Sequence, residues 1–387
     1  MHRGMTGHYE VSGGSGEPVR AFVPLPLPPA PPVSLEGGRQ QRLERAQLAC
    51  GRLDGVGALL PDPDLFLYAY VRREAVLSSQ IEGTQSSLSD LLLFELDGAP
   101  GAPFADVAEV SNYVAALEHG LARLRGGFPL SGRLLCEIHA LLLARGRGAD
   151  KRPGEFRTSQ NWVGGTRPGN AHFVPAPPAA LPECMAALER FLHATADGLP
   201  TLVRAGLAHV QFETIHPFLD GNGRIGRLLI VLLLVEAGVL AHPLLYLSLH
   251  FKQHRPDYYR LLDGVRQSGD WEAWLDFFLD GVVATAQSAV DTAHRLLTIF
   301  GDDAVRVQTL RRSAASARRV FDAFQSRPLA TIASLAARTG ASVPTVTRAV
   351  DALVNLGIVK EITGRKRERV FAYARYLDIL SEGTEPL

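Results

Sequence analysis

The sequence predicts a mainly α-helical protein: a helical bundle with a β-hairpin flap, followed by a C-terminal winged helix-turn-helix domain. Three observations lead there. Apolar residues recur at helical spacing along most of the chain. One Gly/Pro/Asn-rich stretch, Gly154–Pro178, interrupts that pattern and holds short apolar runs on either side of its tip. From about Val305 to Leu380 the order is helix, glycine turn, helix and two short β-runs.

Taken in order, residues 1–20 are Gly-rich and polar and read as a disordered tail. Phe22–Pro32 is proline-dense and reads as an extended polyproline II strap. Helical spacing covers Leu35–Leu60, Leu65–Leu77, Ser86–Phe94, Val107–Leu124 and Ser131–Ala144. The flap is expected over Asn161–Val174. Helices resume at Leu181–Ala194 and Leu199–Thr214, then from about Arg224, and again over Arg255–Val265 and Trp271–Arg295. In the last segment a helix runs to Thr339, Gly340 turns the chain, Ser342 caps a second helix with Pro344 in its first turn, and Gly357 ends it. Ile358–Ile362 and Val370–Tyr373 then form a wing around Gly364. The division expected is a tail over 1–20, an N-terminal helical region over 21–104, a core over 105–300 and the winged helix over 305–380.

Composition sets bounds on partners. The 387 residues carry no net charge, yet Arg306–Arg375 holds fourteen Lys/Arg against four Asp/Glu, so that segment alone is +10. A basic segment of that kind points to an acidic partner, such as DNA phosphates. The three cysteines, Cys50, Cys136 and Cys184, show neither zinc spacing nor a disulfide framework, which fits a reducing cytoplasm. Leu228–Leu247 is almost wholly apolar, but Glu236, His242 and Pro243 interrupt it, so a helix buried in the bundle is expected rather than a membrane span.

The chemistry concentrates in His216–Arg227. Gly221, Asn222 and Gly223 permit a backbone concavity whose N–H groups converge on an anion. A helix opens there and adds its unpaired N-terminal donors. Arg224 and Arg227, three residues apart, share a helix face and suit phosphate oxygens. Asp220 at the loop edge suits a magnesium ion bridging phosphates. His216 stands where it can take a proton from an attacking hydroxyl, and Phe218 reads as an apolar peg.

This segment resembles the signature of the Fic family, His-Pro-Phe-x-Asp/Glu-Gly-Asn-Gly-Arg-x-x-Arg, at every defined position. The resemblance extends over roughly Phe22–Val283, through the strap, Glu155–Gly165, Phe173–Pro178 and Asp257–Leu279. It implies a Fic-type helical bundle and transfer of AMP from ATP, with Mg, to a Ser, Thr or Tyr hydroxyl of a protein, which could be the enzyme itself. It further implies that His216 is the base, Asp220 the metal ligand, and Gly221, Asn222, Gly223, Arg224, Ile225, Gly226 and Arg227 the nucleotide cradle. Tyr259 is a candidate for the adenine pocket or simply a core residue. The flap would offer a backbone edge to the target protein.

A second segment, Ser78-Ser79-Gln80-Ile81-Glu82-Gly83, resembles the family's inhibitory motif, Ser/Thr-x-x-x-Glu-Gly/Asn. It implies an autoinhibited enzyme, with the Glu82 carboxylate competing with a γ-phosphate for Arg227. The bland alternative is a surface glutamate near a helix stop. In the winged helix, Lys360, Arg365, Lys366, Arg367 and Arg369 make a basic patch suited to DNA; a protein-contact role, including homodimerisation, is the alternative. Two other functions compete with AMP transfer: removal of AMP by the same site, with Glu82 orienting water, and a DNA-binding regulator that uses the helical core as a sensor.

Overall fold

The computed structural model describes residues 3–12, 18–59, 63–97, 104–194 and 198–386. In chain order the strands are β1 (Gly7–Ser12), β2 (Val19–Pro24), β3 (Leu329–Thr331), β4 (Lys360–Glu361) and β5 (Val370–Ala372). The first eight helices are α1 (Gly38–Leu59), α2 (Pro63–Ile81), α3 (Leu88–Asp97), α4 (Phe104–Arg125), α5 (Gly132–Leu142), α6 (Leu181–His193), α7 (Thr201–Ile215) and α8 (Asn222–Glu236). The remaining seven are α9 (Ser248–Gln253), α10 (Arg255–Ser268), α11 (Trp271–Gln308), α12 (Ala314–Ser326), α13 (Ile332–Thr339), α14 (Val343–Asn355) and α15 (Ala374–Ser381). The chain divides into two compact units, one of Met1–Gly51 with Asn112–Ala286, the other of Arg52–Ser111 with Gln287–Leu387.

The core of the first unit is the pair α7 and α8, flanked by α5, α6 and α10. Both central helices are buried on nearly every face, and Leu228–Leu234 is buried without interruption. A helix of that kind has no solvent side to present and is enclosed. Burying each such leucine or isoleucine is worth roughly 1.5–3 kcal/mol, enough to offset the cost of burying a polar residue at the helix start. Among the described residues no helix is long and apolar enough to cross a membrane.

The N-terminal segment differs from the expected disorder. Residues 7–12 form β1, paired antiparallel with β2 from Gly7 opposite Pro24 to Ser12 opposite Val19. Residues 1, 2 and 13–17 of that stretch lie outside the described residues. Arg3 closes a two-pronged ion pair on Glu272, with both N···O distances 2.6 Å, and also donates to the carbonyls of Pro31 and Pro32. The polar composition hid these long-range partners. β2 in turn takes the beginning of the expected proline strap.

In the second unit, α12, α13 and α14 pack as a three-helix cluster beside an antiparallel sheet of order β3-β5-β4. Thr331 caps α13 with a reciprocal bond to Ser334, and Gly340 (φ 65°) makes the turn into α14. The helices α2 and α3 belong to this unit: α2 packs on α12 and α15, and α3 on β3 and α15. The side chain of Gln80, near the end of α2, donates to the carbonyls of Thr384 (2.7 Å) and Ser86 (3.0 Å). Arg73 donates to the carbonyl of Glu382 at 2.8 Å.

Candidate active site

The site forms where α7 ends and α8 begins. α7 stops at His216, whose backbone adopts the left-handed conformation at φ 52°. This is uncommon outside glycine, though histidine is among the residues enriched there. The next turn is closed by Asn222, whose Oδ1 accepts from the Phe218 N–H (2.9 Å) and whose Nδ2 donates to the Phe218 carbonyl (2.8 Å). Asn222 therefore spends its side chain on the loop, and what it can offer an anion is its backbone N–H. Phe218 is fully buried, as expected of a peg. Gly221 (φ 78°) is the N-cap of α8, a conformation that a side chain would strain.

Around this turn the charged groups converge. Asp220 accepts from the Gly221 N–H through Oδ1 at 2.6 Å, and the same oxygen lies 3.6 Å from the Arg224 guanidinium. Arg224 and Arg227 are both buried in the first turns of α8. Gly226 permits close approach, since a Cβ there would lie 2.4 Å from Glu213 Oε1. The His209 Nδ1–H donates to the Gly226 carbonyl at 2.9 Å, while its Nε2 accepts from the Tyr258 hydroxyl at 2.8 Å. His216 Nδ1 lies 3.3 Å from the Glu213 carbonyl. A carbonyl only accepts, so Nδ1 carries the proton and Nε2 is the basic nitrogen.

Two residues of this site were not singled out in the sequence. Arg157 is buried and grips the loop through backbone oxygens: its Nε donates to the His216 carbonyl at 2.9 Å, and its Nη2 donates to those of Ala176 and Ile215. Burial pushes its pKa down to about 10, which leaves it charged at neutral pH. His139 on α5 stacks on Phe218, ring centroids 3.8 Å apart, and its Nε2–H donates to the Asp220 carbonyl at 3.0 Å. Arg157 stands inside a segment that resembles the family, which is the one sequence cue to it.

The flap is reduced to a single antiparallel bridge, Val163 with Phe173, rather than a ladder. Its tip is a short 3-10 turn at Pro168–Asn170, held by the Asn170 side chain, which accepts from the N–H groups of Thr166 and Arg167. Glycines and prolines in the tip prevent a longer pairing. On the other side, the Phe22 N–H of β2 donates to the Val174 carbonyl at 2.9 Å. Arg266 lies over the Phe173 ring and donates to Thr214 Oγ1, joining α10, the end of α7 and the flap.

Two expected site residues lie apart from this turn in the sequence. Tyr259 is on α10, 36% exposed with the Arg255 guanidinium over its ring, whereas its neighbour Tyr258 is the buried one. Glu82 follows the last residue of α2 and lies in the second unit. Its N–H donates to the Ser79 carbonyl, and Gly83 (φ 97°) ends the turn.

Several groups in the first unit are tuned by burial. Burial pushes His139 and His250 down to about 4 and His209 down to about 3. Glu272 is pushed up by burial but held at about 2 by Arg3 and the Ser34 N–H. A histidine whose folded pKa lies below about 6.5 binds its proton on unfolding. Its contribution is complete above pH ~6.5 and falls as pH drops toward the folded value, by up to about 1.4 kcal/mol per pH unit. Loss of the Glu272 carboxylate extends the fall at lower pH. The melting temperature is therefore expected to drop by roughly 10 °C or more between pH 7 and pH 5. Equal melting temperatures at the two pH values would show that these histidines protonate within the fold.

Residues 40–122 match the family model Fic/DOC family N-terminal, and residues 129–234, which include the whole turn just described, match Fic/DOC family. Over these residues the chain carries Fic/DOC family domains. Residues 315–360 match a model described as winged helix-turn-helix DNA-binding. The protein adenylyltransferase Fic of Culex quinquefasciatus is 38% identical over 147 residues, covering 38% of this chain and 26% of that protein. That of Drosophila ananassae is 37% identical over 128 residues, covering 33% and 23%. The chain thus spans about a quarter of the length of these curated relatives. Among solved structures, a Fic family protein from Desulfovibrio desulfuricans G20 superposes with TM-score 0.58 at 21% identity, covering 88% of this chain and 97% of that one. Fic-1 from C. elegans superposes with TM-score 0.52 at 22% identity, covering 65% and 72%. These likenesses show the fold.

Proposed function

We propose that the protein is an autoinhibited adenylyltransferase that moves AMP from ATP to a Ser, Thr or Tyr hydroxyl of a protein. The observation that carries this is the single turn that joins His216, Asp220 and the N-terminus of α8. His216 Nε2 takes the hydroxyl proton as the hydroxyl oxygen bonds to the α-phosphorus, and the bond to the pyrophosphate oxygen breaks. The Nδ1–H bond to the Glu213 carbonyl holds the ring in the tautomer this requires. The backbone N–H groups of Asn222 and Gly223 open α8, and N–H groups at a helix N-terminus suit phosphate oxygens. Buried Arg224 and Arg227 supply positive charge.

The donor set also fits magnesium. Asp220 is a single carboxylate, and among the described residues no cluster of three His, Cys, Asp or Glu could cage a metal alone. One carboxylate with phosphate oxygens is the usual arrangement for this ion. Magnesium held by Asp220 would neutralise charge on the phosphates.

The target would dock on the flap. β2 already occupies the Val174–Pro175 side, so the edge suited to an added strand is that of Asn161–Val163. The test of the function is label transfer. Label from ATP marked at the α-phosphorus should enter protein and label from the γ-phosphorus should not; label from the γ-phosphorus alone would overturn the reading.

A second partner is supported by the wing. Lys360, Arg365, Lys366, Arg367 and Arg369 are all exposed, and Glu361 organises the wing turn by accepting from the N–H groups of Thr363 and Gly364. DNA bound there should weaken steeply with salt. Changing Arg365, Lys366 and Arg367 to Ala together should lower the salt slope by up to about 3, measured with full-length protein on duplex DNA. No binding at low salt would favour the protein-contact role, including a homodimer.

A further inference from the structure

We propose that His139 is the positioning residue that sets the Asp220 carboxylate at the mouth of the cradle. The inference rests on reading Asp220 as the metal-holding group. His139 is fully buried on α5 and meets two separate segments, the base of the flap and the turn after α7. Its Nδ1 accepts from the Gly154 N–H at 2.9 Å, at the base of the flap. Its Nε2–H donates to the Asp220 carbonyl at 3.0 Å. Its ring lies flat on Phe218, with 7° between the planes. An amide N–H only donates and a carbonyl only accepts, so the two backbone groups select one neutral tautomer. An imidazolium would set a second N–H against Gly154.

These contacts act on the reacting side of the loop through its backbone. The Asp220 carbonyl is tied to α5, and its carboxylate is tied to the Gly221 N–H at 2.6 Å. Fixing both ends of one residue fixes the direction in which the carboxylate faces. Outer partners of metal-holding groups typically affect affinity by about 10–100-fold. The ring stack alone could be supplied by phenylalanine, so only the two hydrogen bonds require histidine.

The experiment uses the full chain and two variants. His139→Phe keeps the ring on Phe218 and removes both bonds. His139→Gln keeps an amide N–H that reaches the Asp220 carbonyl. ATP binding is measured by calorimetry across a magnesium titration, with melting temperature and hydrogen exchange at Gly154 and Asp220–Gly223 followed alongside. His139→Phe should raise the magnesium concentration for half-maximal ATP binding about tenfold and speed exchange at those amides. His139→Gln should recover most of the magnesium dependence. Equal magnesium dependence in parent and His139→Phe overturns the proposal, as does equal impairment of the two variants, which marks a merely structural residue. Magnesium-independent ATP binding by the parent overturns the reading of Asp220 itself, and the proposal with it.

Discussion

Replacing His216 with alanine is expected to lower AMP transfer by about 10²–10⁴-fold while leaving ATP binding close to that of the parent. In the proposed mechanism the imidazole removes a proton, and the phosphates are met by α8 and its arginines. Removing the base therefore raises the barrier without emptying the cradle. One complication is the backbone. His216 sits at φ 52°, where alanine is strained and asparagine is not. His216→Asn serves as the second variant, because it keeps the left-handed turn and lacks a basic nitrogen. Both variants should be inactive and should bind ATP. Transfer at the parental rate in His216→Asn would remove His216 from the mechanism, and loss of ATP binding in both would recast it as a structural cap.

Glu82→Gly is expected to raise AMP transfer, including transfer onto the enzyme itself. A carboxylate competing for a guanidinium needed by the γ-phosphate withholds an interaction of roughly 1.5–3 kcal/mol, or about 10–150-fold. A catalytic or metal-holding glutamate would give a loss instead, and a surface glutamate no change. Arg227→Ala should lose activity, and the double variant should stay inactive because the phosphate still lacks its partner. Glu82→Gln keeps the size and helical preference of the side chain and should reproduce much of the gain. AMP incorporation by these proteins decides the matter. If Glu82→Gly is as quiet as the parent on every substrate, inhibition is excluded. If it instead loses an AMP-removing activity, hydrolysis becomes the main function.

Much of the fold could be read in advance because its causes are local. The amphipathic spacing that marks α4, α5 and α6 lies within each helix, and Gly340 marks its own turn through its φ. The turn from His216 to Arg227 was readable for the same reason: its peg, its hinge glycines and its charges are contiguous. The helix from Trp271 was readable at its start, but it runs on to Gln308, well past Arg295.

The sequence by itself determined which residues form the turn from His216 to Arg227, because a loop that opens a helix is made from one short stretch of backbone. Only the tertiary structure decided what holds that turn. Arg157 reaches the His216 carbonyl across 59 residues, and His139 reaches the Asp220 carbonyl across 81. A lone arginine or histidine in a helical or loop pattern does not announce such a partner. The same holds for Arg3, which ties a polar, Gly-rich start to Glu272, and for Gln80, which is held by the carbonyl of Thr384 within the winged-helix unit. In each case the partner is a group brought near by folding, and burial makes the bond count, since a buried polar group left without one costs about 1–3 kcal/mol.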